Sequence, residues 1–266
     1  MSEPTALDPV PAGAPGFRRI AEQVADLLRS RILSGEIPDG GLLPKEDVLQ
    51  ATYQVSKPSL REAMRILDAE GLVTVRRGNT GGAVVHHPSP ANVGYSLAMV
   101  LTSREIGIDD VATALREVEP ACARLCAQRP DRLTEVVPQL TIIHERSLAT
   151  LDDLVEVTEH SRAFHEALVE LCGNETLKIM AGALEALWSS HEKAWAEHHP
   201  EPASLPLEER RAALLVHGRM IELIAAGDAA AVGELAAGHL RSAQDYPTTA
   251  GPLIRPTLVR DMRPGG

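Results

Sequence analysis

Three histidines and one group of cations are the side chains whose type and spacing can do chemistry in this chain. His217 stands ten residues before Gly227 and His239 twelve after it. At about 1.5 Å of helical rise per residue the two lie roughly 15 and 18 Å from the same turn, so on antiparallel helices they are level. His165, directly after Phe164, adds a third imidazole from another helical stretch. Leu214, Leu215 and Ile221 flank His217, and Leu235 and Leu240 flank His239, so both rings face inward, where an imidazole needs a partner. Such a set can hold a divalent ion, zinc first and nickel or manganese next, or it can donate hydrogen bonds to an anion with no metal present. The cations are Lys57, Arg61 and Arg65 at helical spacing, with Ser59 among them, and the run Arg76-Arg77-Gly78 further on. Side chains of this kind meet phosphates and guanine edges.

The elements that must position the cations lie between Leu43 and Val85. A short helix starts after Pro44 and carries Val48, Leu49 and Thr52 inward, and Tyr53-Gln54-Val55 ends it. Ser56 is placed to cap a second helix, with Pro58 in its first turn. Leu60, Ala63, Met64 and Leu67 share the inner face of that helix, which leaves Lys57, Ser59, Arg61 and Arg65 outside. Glu70-Gly71-Leu72 is a helix stop. Val73-Thr74-Val75 and Ala83-Val84-Val85 then read as a hairpin with a basic, Gly-rich tip. A preceding helix, Phe17 to Leu33, carries Ile20, Val24, Leu27, Leu28 and Ile32 on one stripe.

The histidines need a different scaffold. From Ala91 onward the pattern is helical, broken near 103–110, 129–131, 151–153, 172–174, 198–206 and 227–228, which predicts six or seven helices in an antiparallel bundle. The fold class expected is therefore mainly α: a winged helix-turn-helix over 17–87, a Pro-rich hinge over 88–90, and an all-α bundle over 91–245. Residues 1–16, rich in Pro, Ala and Gly, and residues 246–266 read as tails.

Charge separates the same two parts. The net charge of −11 argues against a general nucleic-acid binder. Residues 17–87, however, hold 10 Lys or Arg against 9 Asp or Glu, while residues 88–266 hold 16 against 26. The acidic body should repel DNA while the small domain holds it, so binding is expected to be specific and to need a dimer. Cys122, Cys126 and Cys172 lie in apolar helical stretches without metal-ribbon spacing and read as buried thiols of a reducing cytosol. No apolar run approaches a membrane span, and the N-terminus lacks an export signal, so a soluble cytoplasmic protein is expected.

The runs LPKEDVL, VSKPSLREAM, LDAEGLV and VRRGNTGGAVV, in this order, resemble the DNA-binding domain of GntR-family transcriptional regulators. By that resemblance Ser56, Lys57 and Arg61 occupy DNA-contacting positions of a recognition helix, and Arg77 and Gly78 the wing tip that reaches the minor groove. The family usually has Arg where this chain has Asp47, so that contact is missing or has moved to Lys45. Further on, Leu115 to Ala121, Phe164 to Leu168 running into Cys172-Gly173-Asn174, His217 and His239-Leu240 resemble the FCD ligand-sensing domain of the FadR subgroup. Metal-binding members of that type hold an ion with three His and an Asp four residues before the first His, a position that is Ser161 here. A neutral hydroxyl is a poor ligand, and His160 points roughly 100° or more from the face of His165. The resemblance thus implies either three histidine ligands completed by water or effector, or a metal-free site. It also implies that Arg116 faces the effector and that Asn174 closes the motif after His165. The effector it implies is a small carboxylate such as a sugar acid, a lactate-type acid or a dicarboxylate; a few members bind acyl thioesters.

The function expected is a ligand-responsive, homodimeric DNA-binding regulator that recognises a short inverted repeat. Two other classes stay in view. Three histidines with a water are also the ligand set of a metallohydrolase, which would need a general base beside the open position; Glu166 adjoins His165 in sequence and so points off that face. A constitutive architectural DNA binder would leave a helical domain of this size, and its inward histidines, without a role.

Overall fold

The computed structural model describes residues 17–75, 82–198 and 206–244. Both expected tails and the wing-tip residues Arg76, Arg77 and Gly78 lie outside the described residues. The chain divides into two compact units between Pro88 and Ser89.

The first unit contains α1 (Phe17–Leu33), α2 (Glu46–Tyr53), α3 (Lys57–Ala69), β1 (Val73–Val75) and β2 (Ala83–Val85). The strands pair antiparallel with Thr74 opposite Val84. A third short segment, unforeseen in the sequence, joins them: Leu43 N–H donates to Ala83 and Val85 N–H donates to Gly41. Ala25, Leu28 and Ile32 of α1, Leu49 and Tyr53 of α2, and Leu60, Ala63 and Leu67 of α3 form the core with Val73 and Val85. Two inward assignments fail. Leu27 is 38% exposed and Val48 49% exposed. In each case the buried row runs one position over, through Ala21, Ala25 and Leu28 in α1 and through Leu49 and Tyr53 in α2, because only one narrow stripe of a helix meets its neighbours. Gln54 closes α2 in the left-handed conformation with φ 52°, and the Ser56 hydroxyl caps α3 by accepting from Ser59 N–H. Gly71, with φ 75°, lets the chain turn from α3 into β1.

In the second unit seven α-helices are described: α4 (Pro90–Ser103), α5 (Ile108–Gln128), α6 (Val137–Ala149), α7 (Leu154–Glu170), α8 (Glu175–His198), α9 (Leu207–Ala226) and α10 (Ala229–Ala243). The breaks fall where turn chemistry demands them: Asp153 caps α7, Asn174 accepts from Leu177 N–H at the start of α8, and Gly227 with Asp228 separates α9 from α10. Two details depart from the sequence pattern. A π-helical turn, Arg132–Val136, precedes α6, and α4 begins at Pro90, which the Pro-rich spacing assigns to the hinge. The main core gathers Cys122, Cys126, Leu140, Phe164, Leu168, Met220, Ile224 and Ala236 from α5, α6, α7, α9 and α10. All three cysteines are free and buried. Burial pushes the Cys126 thiol up to about 12. Gly94 of α4 sits so close to α8 that a Cβ there would lie 2.9 Å from the Ala183 carbonyl oxygen.

Candidate metal and effector site

His165 on α7, His217 on α9 and His239 on α10 converge in the second unit, with one nitrogen from each lying within 4.8 Å of the others. The level placement of His217 and His239 about the Gly227 turn is realised: their Nε2 atoms are 3.0 Å apart. Phe164 holds His217 from behind, its ring stacked at 4.2 Å between centroids. His165 Nδ1 donates to Glu119 Oε1 of α5 over 2.6 Å.

Electrostatics divide the three rings. Burial, with the neighbouring rings of His165 and His239 adding to it, drives His217 well below the usual imidazole range. Burial also takes His239 down to about 4, with His165 reinforcing and Glu119 opposing. Burial lowers His165 as well, but the Glu119 carboxylate outweighs it and the net direction is up. Without a metal, a proton in the cluster is therefore favoured on His165, beside Glu119, over the other two rings.

This donor set fits a divalent ion. A carboxylate accepting from Nδ1 fixes one tautomer and frees the Nε2 lone pair, the arrangement that orients imidazole toward metals. Of the facing Nε2 atoms of His217 and His239, only one can donate to the other. The buried Nδ1 of His217 has no hydrogen-bond partner among the described residues. An ion would use the Nε2 lone pairs of both rings.

A cavity of about 780 Å³ opens beside the cluster, and Ser161, Arg162, His165 and His239 line it. Ser161 stands one helical turn before His165 on that wall, and His160 turns away to hydrogen-bond Thr150 at 3.0 Å. Two residues expected at the effector are not on the wall. Leu115 and Glu119 of α5 face the cavity, and Arg116 is rotated off that row by helical periodicity; its guanidinium donates to Thr113 on an exposed face. Asn174 is exposed and serves as a helix cap.

The sequence reading missed Arg162 and four further wall residues: Glu119, Glu185, Trp188 and Glu192. The signal was present for Glu119, which sits on the buried stripe defined by Leu115, Cys122, Ala123 and Cys126. Burial raises the Glu119 carboxyl, yet His165 and the Glu185 hydrogen bond hold it below the usual range. Glu185 is pushed well above that range, by burial first and the Glu119 charge second. Burial also raises Glu192.

In the first unit, α3 displays Lys57, Arg61 and Arg65 to solvent, but Ser59 is 2% exposed and does not join them. Its hydroxyl is drawn back 2.9 Å from that of Ser56, as expected for a residue in the first turn beside a capping serine. Glu46 of α2 reaches both Lys57, at 3.7 Å, and Arg61, at 3.4 Å. Arg65 pairs with Glu62 at 2.9 Å. Lys45 is exposed at the N-terminus of α2.

Residues 20–84 match the family described as bacterial regulatory proteins, gntR family, and residues 110–242 match the FCD domain. The HTH-type transcriptional regulator Mce2R of Mycobacterium tuberculosis is 27% identical over 248 residues, covering 91% of this chain and 94% of its own. The HTH-type transcriptional repressor NanR of Klebsiella aerogenes is 30% identical over 160 residues, 59% of this chain and 60% of its own. Among solved structures, Streptococcus agalactiae GntR superposes with a TM-score of 0.61 at 25% identity, covering 84% of this chain and 98% of that one.

Proposed function

The chain belongs to the gntR family of bacterial regulatory proteins and carries an FCD domain, and from that premise we propose that it is a cytoplasmic, homodimeric repressor whose hold on an operator is set by a small carboxylate effector. As a transcriptional regulator it has no use for the hydrolase chemistry of a three-histidine site. The observation that carries the effector reading is the convergence of His165, His217 and His239 beside a cavity whose wall includes His165 and His239, with His165 oriented by Glu119. The repressor reading draws on the likeness to NanR, which is named a repressor.

His165, His217 and His239 would hold a divalent ion, zinc by the imidazole donor set, with nickel or manganese as alternatives. Bound there, the ion supplies a Lewis-acid position for a carboxylate oxygen. The protein supplies the rest. Glu119 holds His165 in one tautomer, and Phe164 fixes the plane of His217. Arg162, not Arg116, stands on the cavity wall to pair with the carboxylate. Ser161 in place of an acid leaves the site more positive than one with Asp there.

On the DNA side, Ser56 at the N-cap of α3, Lys57, Arg61 and Arg65 on that helix and Lys45 at the N-cap of α2 contact one half-site, and the wing carrying Arg76, Arg77 and Gly78 contacts the minor groove. Two-fold dimers match inverted repeats, and one small cationic surface beside an acidic body is too little alone.

Elemental analysis of full-length protein purified without chelator, paired with gel shifts on an inverted-repeat operator, tests the reading. One metal per subunit and a two-subunit complex weakened by added carboxylate are expected. Protein that carries no metal and cannot be loaded with zinc, nickel or manganese overturns the coordination model. A monomeric complex overturns the dimer.

A further inference from the structure

The cavity wall is not simply cationic. α8 places Glu185, Trp188 and Glu192 at spacings of three and four, so one face of the helix carries all three, and all three line the cavity. Glu119 of α5 faces the same space and is completely buried. Its Oε1 accepts from His165, the Glu185 carboxyl shares a hydrogen bond with the same carboxylate, and among the described residues no N–H or hydroxyl donor reaches its Oε2. Glu185, 4% exposed, shares a proton with the Glu119 carboxylate, and the Trp188 indole hydrogen-bonds Glu192. The cations of the wall are partly spent: Arg210 donates to the Leu151 carbonyl at 2.9 Å, and Arg162 lies 3.5 Å from Glu166.

Buried carboxyls in an apolar wall are costly as anions unless a cation joins them. Among the described residues only Glu119 of the three on this wall has an ion pair, with His165; the Arg162 charge acts on Glu192 but also lies against Glu166, and Glu185 has no ion pair. An ammonium group supplies three donors and a positive charge, and an indole beside carboxylates adds attraction of its own for such a cation. A dicarboxylate would bring a second negative charge to a wall that already holds these acids, and a hydroxy acid would leave them unpaired. We propose that the effector of this chain is an amino acid, its carboxylate directed to the histidine cluster and its ammonium group held by Glu185 and Glu192 beside Trp188. The inference rests on the carboxylate reading above and narrows it to one ligand class. A cavity of about 780 Å³ has room for an amino acid with a substantial side chain.

The test uses matched pairs that differ only in the amine: L-leucine against its 2-hydroxy analogue, L-phenylalanine against L-phenyllactate, and L-glutamate against 2-hydroxyglutarate. Binding to zinc-supplemented, full-length Trp195→Phe protein is read by Trp188 fluorescence and by calorimetry. At least one amino acid should bind, about tenfold or more tighter than its hydroxy partner. The double variant Glu185→Gln, Glu192→Gln should lose that preference while keeping the zinc content and helical circular dichroism of the parent. A hydroxy acid that binds as well as its amino partner overturns the proposal, as does a preference that survives in the double variant or the failure of every amino acid of the panel to bind at millimolar concentration. The two readings fail separately. A hydroxy acid or dicarboxylate that binds and weakens operator binding removes the amine subsite and leaves the regulatory reading standing. An amino acid that binds with the expected preference but leaves operator affinity unchanged does the reverse.

Discussion

The two units of the chain each hold carboxylates against cations, under opposite solvent conditions. On α3, Lys57 and Arg61 share Glu46 in the open, with side chains 54%, 67% and 41% exposed. In the helical bundle, Glu119 pairs with His165 and neither side chain is more than 12% exposed. The exposed set is worth little and is exchangeable: water screens it, and a phosphate can take the place of Glu46. The buried set is not exchangeable in that way. Each carboxyl there has given up its water, so removing a partner leaves an uncompensated charge, and only a group that brings the right charge into the cavity can replace it. Under the proposed function, the DNA-facing surface would thus use weak pairs that let go, and the effector cavity strong ones that discriminate.

The comparison can be broken most decisively from the buried side. Phe164 is fully buried and stacks on His217, so Phe164→Ala should cost about 3–5 kcal/mol in urea unfolding and scatter the histidines as well. A loss below about 1 kcal/mol would mean that the site collapses around the void. The pH dependence of stability gives the next test. The folded value of His239 is about 4, below an unfolded value of about 6.5. Between these two values the unfolded chain binds a proton that the folded chain refuses, so stability falls as the pH drops through this window. His217 acts in the same direction and His165, raised, in the opposite one. In metal-stripped protein, His239→Gln should therefore reduce the slope of unfolding free energy against pH over this window by up to about one proton. An unchanged slope would place the His239 proton outside the folding equilibrium.

Glu119→Ala should lower zinc affinity about 10- to 100-fold, read by competition with a chromogenic chelator, because His165 loses the acceptor that orients it. Wild-type affinity in that variant would reduce Glu119 to a bystander. On the exposed side, Arg61→Ala should cost about 1–3 kcal/mol of operator binding and relax sequence preference, and an equal loss on random DNA would make Arg61 a phosphate contact. The smallest effect is expected for Glu46→Gln. Freed from an exposed pair of about 0.2–1 kcal/mol, Lys57 and Arg61 should bind operator up to about fivefold tighter, with little change in stability and a smaller gain at high salt. If the variant binds more weakly, Glu46 orients the two cations rather than competing for them.

The sequence by itself determined the local architecture. Helix limits at Phe17–Leu33, the serine cap before α3, the strand pair about the wing and the breaks between the bundle helices follow from capping, glycine conformations and apolar spacing, which act over a few residues. It also brought His217 level with His239, because both are counted from one turn at a fixed rise per residue. Only the tertiary structure decided which side chains meet across long separations. It buried Ser59 behind Ser56, rotated Arg116 off the cavity row, left Asn174 as a cap, and put Glu119 against His165, 46 residues away. Glu185, Trp188 and Glu192 carried a readable spacing, but spacing says only that they share a face, not that the face borders a cavity already holding Glu119. Periodicity fixes the angle of a residue about its own helix axis; what stands at that angle depends on how α5, α7, α8, α9 and α10 pack, and that is a property of the whole core.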